Sequence, residues 1–248
     1  MKKLLICILC FSATHGFAQL RLGVTGSFSA ANFWQSEGFR GLPSGVDTWA
    51  INDYQAGLMA EYDLGHTNLI LQPAVLYAES GAHLGNRQGL GTVGNVHIGF
   101  SNTTIKVQSI RVPVNLLYKW DINNGKVRIL AGLGPYIAKN LSGTEKGYYQ
   151  GDTLSNNGNY VTIKYDVNNK VQFKSGKSST VAGDTRIAPY DIGMDAQIGV
   201  QYKKLQLTIN YTRGFTRLYS TAYVNSGTSI TNFTLSYIIF GHDIKPKL

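Results

Sequence analysis

The feature that most constrains this chain is an alternation of apolar and polar residues, one by one, along most of its length. Successive side chains of an extended strand point to opposite faces of a sheet, so the pattern specifies strands with one apolar and one polar face. Leu20, Leu22, Val24, Phe28 and Ala30 alternate with Arg21, Gly23, Thr25, Ser27 and Ser29. Tyr54, Ala56, Leu58, Ala60, Tyr62 and Leu64 alternate with Gln55, Gly57, Met59, Glu61 and Asp63. A third segment, about 68–80, shows Leu69, Leu71, Val75 and Tyr77 on one face, with Ile70 and Leu76 blurring the pattern. Ile110, Val112, Val114, Leu116, Tyr118 and Trp120 oppose Ser109, Arg111, Asn115 and Lys119. Val127, Ile129, Ala131, Leu133 and Ile137 oppose Lys126, Arg128, Gly132, Gly134 and Tyr136. The alternation is cleanest over Tyr190–Lys203, continues over Lys204–Thr212, and closes with Phe233, Leu235, Tyr237 and Ile239.

These segments predict eight strands, several longer than the five or six residues usual in soluble sheets. A tilted strand crossing a hydrocarbon core needs about 9–11 residues. The connections add a second constraint. Those at 65–67, 121–125 and 203–204 are short, and those at 34–52, 81–104, 142–186 and 216–228 are long. Short and long alternate strictly, as in an up-and-down sheet with tight turns at one end and long loops at the other. In lipid an open sheet edge leaves backbone groups unsatisfied at several kcal/mol each, so such a sheet must close. An even strand number lets the last strand pair antiparallel with the first. The expectation is an all-β, eight-stranded antiparallel up-and-down transmembrane β-barrel in the outer membrane, with periplasmic termini and extracellular long loops. Tyr62, Tyr118, Trp120 and Tyr202 fall near the short turns, and Tyr54, Tyr77, Tyr190 and Tyr211 near the long loops. Two interfacial girdles account for that placement. A soluble lipocalin-like barrel is the alternative fold, and it needs no such loop alternation.

The N-terminus reads as an export signal. Lys2 and Lys3 precede the apolar run Leu4–Phe11, and Gly16-Phe17-Ala18 supplies small residues for cleavage. The expected organisation is a signal peptide at 1–18, a barrel at 19–240 and a periplasmic tail at 241–248. Both cysteines, Cys7 and Cys10, lie in the signal, so the remainder forms no disulfide and no thiolate zinc site. Ile6 and Leu9 stand where a lipoprotein signal needs a small residue. Only 15% of residues are charged, and removing Lys2 and Lys3 lowers the formal charge from +9 to +7. The basic excess suits acidic lipopolysaccharide, and nucleic acid is not an expected partner.

Motifs for chemistry are weak. Gly89-Leu90-Gly91-Thr92-Val93-Gly94 matches a dinucleotide fingerprint, but no helix-forming stretch follows it. His66, His83, His97 and His242 do not accompany a Ser and a carboxylate on one strand, so no enzyme and no cofactor is expected. The polar strand faces carry both signs: Glu61, Asp63, Asp191 and Asp195 with Arg21, Arg111, Lys119, Arg128 and Lys203. An eight-stranded barrel is just wide enough to be filled by side chains. Glu61, Arg111, Arg128, Asp191 and Asp195 are therefore candidates for a lumen charge network, with Arg111 and Arg128 pairing with Glu61 and Asp195. The other reading is a narrow polar conduit in which the arginines attract anions. In the longest loop, Tyr160–Val167 alternates and Val171–Lys174 follows, which predicts a raised hairpin with its turn at Asn168-Asn169.

Several stretches together resemble a family. They are Leu22-Gly23-Val24-Thr25-Gly26, Ala56–Tyr62, Leu71–Tyr77, Ile110–Tyr118, Ala131–Tyr136 and Asp191-Ile192-Gly193-Met194. The chain is similar over nearly its whole exported length to the PorT-type, porin-family outer membrane beta-barrel proteins of Bacteroidetes-like bacteria. The resemblance implies an outer-membrane barrel; PorT itself assists protein secretion. Many such barrels end on an aromatic residue, whereas here Gly241–Leu248 follow Phe240. The expected function is a structural or surface-interaction barrel with a side-chain-filled lumen, acting as a monomer. A PorT-like secretion accessory and a narrow solute pore are the alternatives. Expected partners are outer-membrane lipid, lipopolysaccharide, and secretion-machinery or surface proteins at loops 81–104 and 142–186.

Overall fold

The computed structural model describes residues 20–36, 47–65, 67–85, 91–93, 96–122, 126–154, 160–174, 185–216, 219–220 and 225–241. The expected signal peptide, the tail beyond Gly241, His66, His242, and Gly89, Leu90 and Gly94 of the Gly89–Gly94 motif lie outside these residues. Eight long strands form the wall: β1 (Leu20–Ser36), β2 (Ile51–Asp63), β3 (Leu69–Gly85), β4 (Val96–Ile122), β5 (Val127–Leu154), β6 (Tyr190–Tyr202), β7 (Leu205–Gly214) and β8 (Asn225–Phe240). Each is antiparallel to its neighbours in sequence. β1 also pairs antiparallel with β8, from Leu22 opposite Phe240 to Ser36 opposite Asn225, and this closes the ring.

The predicted faces are the observed ones. Leu58, Leu133, Ile198, Leu207 and Phe233 point outward and are more than half exposed, a surface that water would not tolerate and hydrocarbon would. All eight aromatics assigned to the girdles are exposed on the outside, from Tyr62 and Tyr118 at the short-turn end to Tyr54 and Tyr211 nearer the long loops. Tyr118 and Trp120 pack ring against ring at 4.5 Å. The ambiguous third segment resolves with Ile70 buried inward and Leu76 lining an internal cavity. Lys203 departs from expectation: it is exposed in the two-residue β6–β7 turn, with φ of 52°, and does not face the lumen.

The strands continue past the apolar belt at the long-loop end, so much of the expected loops is sheet. The upper part of β3 pairs with β4 up to Gly85 opposite Asn102, and Asp47–Trp49 adds to that edge. β4 and β5, at 27 and 28 residues, form the tallest hairpin. Tyr160–Lys170 pairs antiparallel with Thr144–Leu154 along β5. The predicted turn at Asn168-Asn169 is therefore wrong. Both residues sit inside the ladder, opposite Lys146 and Glu145, because the partner of this strand is the chain before it and not the chain after it. Beyond Lys170 the chain folds inward: Val171 N–H donates to Gly143 O at 2.9 Å, and Gln172–Phe173 pairs in parallel with Arg186–Ile187. Val171 and Ile187 join Phe33, Ala82, Leu84, Ile105 and Val107 in a buried apolar cluster on the inner side of this end, with Phe173 and Ala188 against it.

Candidate functional site

The interior is built in layers by the inward half of each strand. At the short-turn end the centre is Glu61 on β2, which is fully buried. Arg21 lies directly opposite on β1, and its Nη2 is 2.8 Å from Glu61 Oε2. Lys119 reaches across from β4 and donates to both carboxylate oxygens, at 2.8 and 2.9 Å, and to Gln201 Oε1 at 2.7 Å. Gln72 Nε2 donates to Glu61 Oε1 at 3.1 Å, and Gln206 Nε2 donates to the same oxygen. One anion thus holds two cations and two amides drawn from four other strands. Nearer the turns, Arg128 Nε donates to Asp121 Oδ1 at 2.7 Å.

Above Glu61 lies a cavity of about 50 Å³, walled by Gln72, Arg111, Asn115, Asp195, Gln197, Asn210 and neighbouring hydroxyls. Amides bridge around it: Gln197 Nε2 donates to Gln72 Oε1 at 2.9 Å and Asn210 Nδ2 to Gln197 Oε1 at 3.2 Å. Asp195 accepts from Asn115 Nδ2 at 2.9 Å and Thr212 Oγ1 at 2.6 Å. One water occupies about 10–15 Å³ on this measure, so the cavity has room for a few waters. Arg111 is 97% buried, since 3% is exposed, and its Nε and Nη1 have no hydrogen-bond acceptor among the described residues. Its guanidinium lies 4.8 Å from the Tyr136 ring centre.

The next layer is a hydroxyl–carboxylate knot. Tyr136 Oη donates to Asp191 Oδ2 at 2.7 Å, and Thr228 Oγ1 donates to the same oxygen at 2.8 Å. Two glycines make room for it. A Cβ on Gly193 would stand 2.6 Å from Tyr136 Cε1, and one on Gly214 would stand 2.8 Å from Asp191 Oδ1 and 2.9 Å from Tyr136 Oη. Beyond the apolar belt, Lys106 Nζ donates to Glu79 Oε1 at 2.6 Å and lies 3.9 Å from Asp53 Oδ1. The hydrogen bond to Glu79 holds the Lys106 ammonium above the usual lysine range. Higher still, buried Glu145 accepts from Tyr149 Oη at 2.7 Å and from Thr185 Oγ1, which ties the returning chain to β5.

All five candidate network residues, Glu61, Arg111, Arg128, Asp191 and Asp195, point inward and are buried. The contacts described for them are with other residues than the predicted partners. Glu61 pairs with Arg21 and Lys119, Arg128 with Asp121, and Asp195 is held by neutral donors. The reason is height along the wall: Arg111 sits several inward rows above Lys119, beside Tyr136 and not beside Glu61. The glutamines that knit the layers were visible only as polar, inward positions on alternating strands. His83 is half-buried, with Nδ1 2.9 Å from Thr104 Oγ1 and its ring 5.3 Å from that of Trp49. Among the described residues no group of three or more His, Cys, Asp or Glu is placed to hold a metal.

Comparison with known proteins places this architecture. The model of the family described as "Outer membrane protein beta-barrel domain" matches residues 17–220. No curated protein matches the sequence. Among solved structures, Neisserial surface protein A is similar at 13% identity and a TM-score of 0.38, covering 88% of this chain and 97% of its own. Ail, the attachment invasion locus protein of Yersinia pestis, is similar at 10% identity and a TM-score of 0.31, covering 88% and 99%.

Proposed function

The chain belongs to the outer membrane protein beta-barrel domain family, and on that premise we propose that it is a surface-interaction barrel: a closed wall that carries a recognition sheet and passes no solute. The observation that carries this reading is the contrast between the two ends. At the short-turn end the bore is crossed by the Glu61, Arg21 and Lys119 cluster, whose charged side chains are at most 4% exposed. At the long-loop end it is crossed by the apolar cluster around Leu84, Ile105 and Ile187. Between them lies the cavity of about 50 Å³, which has room for trapped water and not for a file of hydrated ions. Meanwhile β4, β5 and Tyr160–Lys170 extend a sheet well past the apolar belt, and chain invested there serves contact with something outside.

In this reading the short turns and both termini face the periplasm, and the raised sheet faces outward from the cell. The barrel acts as a monomer within its own membrane, without a catalytic role, solvated by lipid and lipopolysaccharide. Its partner is a protein met by the sheet formed from 96–108, 142–154 and 160–170.

Two measurements test this. Planar bilayers containing the protein are expected to show no steady conductance; a stable single-channel current would instead select the solute-pore reading. A clean deletion is expected to leave secreted cargo unchanged and to alter cell-surface contacts. Loss of secreted cargo would select a PorT-like export accessory in its place.

A further inference from the structure

Tyr160–Lys170 is an edge. It pairs with β5 on one side, and among the described residues no strand pairs with its other side. An open edge in water invites another strand, and proteins usually guard it with unmatched charge. Here the charge is matched to itself. Thr162, Lys164, Asp166 and Asn168 are exposed on one face, while Ile163, Tyr165 and Val167 turn toward the other. Neither Lys164 nor Asp166 is in an ion pair among the described residues; Lys164 Nζ rests 4.0 Å above the Tyr148 ring.

Two copies joined edge to edge by a two-fold axis normal to the sheet must keep the same face up. Only registers centred on one residue do so. Centred on Lys164 or on Asp166, that residue meets its own like charge. Centred on Val167, Lys164 meets Lys170. Centred on Ile163, Lys164 meets the neutral Thr162; centred on Asn168, Asp166 meets Lys170 but only residues 166–170 overlap, whereas a register centred on Tyr165 overlaps the whole strand. Centred on Tyr165, Lys164 meets Asp166 at both ends, Ile163 meets Val167, Thr162 meets Asn168 and Val161 meets Asn169. Unlike charges and apolar pairs directly opposite each other are what stabilise an antiparallel ladder.

Resting on the surface-interaction reading, we propose that this strand is a homophilic edge whose partner is a second copy of the chain on a facing membrane. The facing arrangement follows from direction. The strand runs from the tip of the sheet back toward its own bilayer. A neighbour in the same bilayer runs the same way and presents a parallel edge; only a copy in an opposed bilayer presents the antiparallel one. Reach allows it. The register centre lies opposite Tyr149, ten residues beyond Lys139 at the edge of the apolar belt. At about 3.3 Å per residue and a tilt of about 40°, that is about 25 Å above the lipid, so the two bilayers stand about 50 Å apart. Single contacts are weak, and many per membrane add through multivalency.

The test uses the full-length protein in lipid vesicles, with each variant first shown to migrate as a folded barrel on unheated gels. Wild-type vesicles are expected to tether, read as turbidity and as co-localisation of two dyes, and to tether less at high salt. Lys164→Asp alone and Asp166→Lys alone should each lose tethering at least tenfold. Mixing the two single-variant populations should restore it, because an edge with two acidic groups then meets an edge with two basic ones, and only between unlike vesicles. The double exchange Lys164→Asp/Asp166→Lys should tether by itself. Tethering of both single variants at the wild-type level, or a mixture no better than its parts, would overturn the homophilic edge. So would wild-type vesicles that never tether. Each of these leaves the surface-interaction reading standing, which falls instead to a stable conductance or to loss of secreted cargo.

Discussion

Glu61 offers the sharpest test of how the barrel interior is held. It is the one anion described in contact with Arg21 and Lys119, and all three are essentially excluded from solvent. Glu61→Gln keeps the volume and one acceptor oxygen but leaves two buried cations facing each other with no counter-charge. Breaking a buried ion pair by removing one partner costs about 3–5 kcal/mol. Lys119→Met is different. Glu61 keeps Arg21 at 2.8 Å and the amide donors of Gln72 and Gln206, so only hydrogen bonds are lost, at about 1–2 kcal/mol. The prediction is an asymmetry of at least twofold between the two members of one pair. With an m value of about 2 kcal/mol/M, the urea midpoint falls by about 2 M for Glu61→Gln and by at most about 1 M for Lys119→Met. Tryptophan fluorescence of the protein folded in lipid vesicles reports the transition, with unheated-gel mobility as the check on barrel closure. Equal losses for the two variants, or a Glu61→Gln loss under about 1 kcal/mol, would refute the picture of one anion serving two cations.

Three further outcomes follow from other layers. Tyr136→Phe should lower stability by about 1–3 kcal/mol, because Asp191 loses a donor, and Gly214→Ala by a similar amount through overpacking against the same carboxylate; a double variant costing the full sum would show that the two do not act on one knot. Arg111→Met should leave the urea midpoint unchanged or raise it, since its Nε and Nη1 have no described acceptor; a loss above about 2 kcal/mol would mean that Arg111 is held by ion partners after all. Lys203→Gly should raise the midpoint, because a lysine at φ of 52° carries about 1 kcal/mol of backbone strain that glycine does not; a lower thermal midpoint would contradict this.

The wall was legible in the sequence because each of its strands meets two different solvents. Lipid on one side and packed polar groups on the other force strict alternation, so Tyr190–Tyr202 declares both its conformation and its orientation. Above the belt that contrast ends. Residues 102–104 and 142–147 carry no apolar side chain, so the alternation stops there and the upper halves of β4 and β5 read as loop. The hairpin partner of Tyr160–Lys170 was misassigned for the same reason: Gly143, Gly147 and Gly151 break the pattern on the strand it pairs with. Within the site, parity identified which charges point inward. Who meets whom depends on how far each strand is staggered around the ring, and alternation carries no information about stagger. Arg21, opposite Glu61 through the β1–β2 register, and Lys119, arriving across the bore, are products of that stagger.

The seam between β1 and β8 has a consequence in time. One edge of β1 pairs early, with β2, but its other edge finds its partner only in β8, with Leu22 opposite Phe240, so the first strand of the wall is not fully paired until nearly the whole chain is available. Up to that moment every shorter piece has two bare edges, and hydrocarbon tolerates neither. A chain cut anywhere before β8 is thus not a smaller barrel but no barrel, and partial insertion offers no stable resting place. Delivery to the membrane must keep the early strands unpaired and soluble for as long as the last one is still to come.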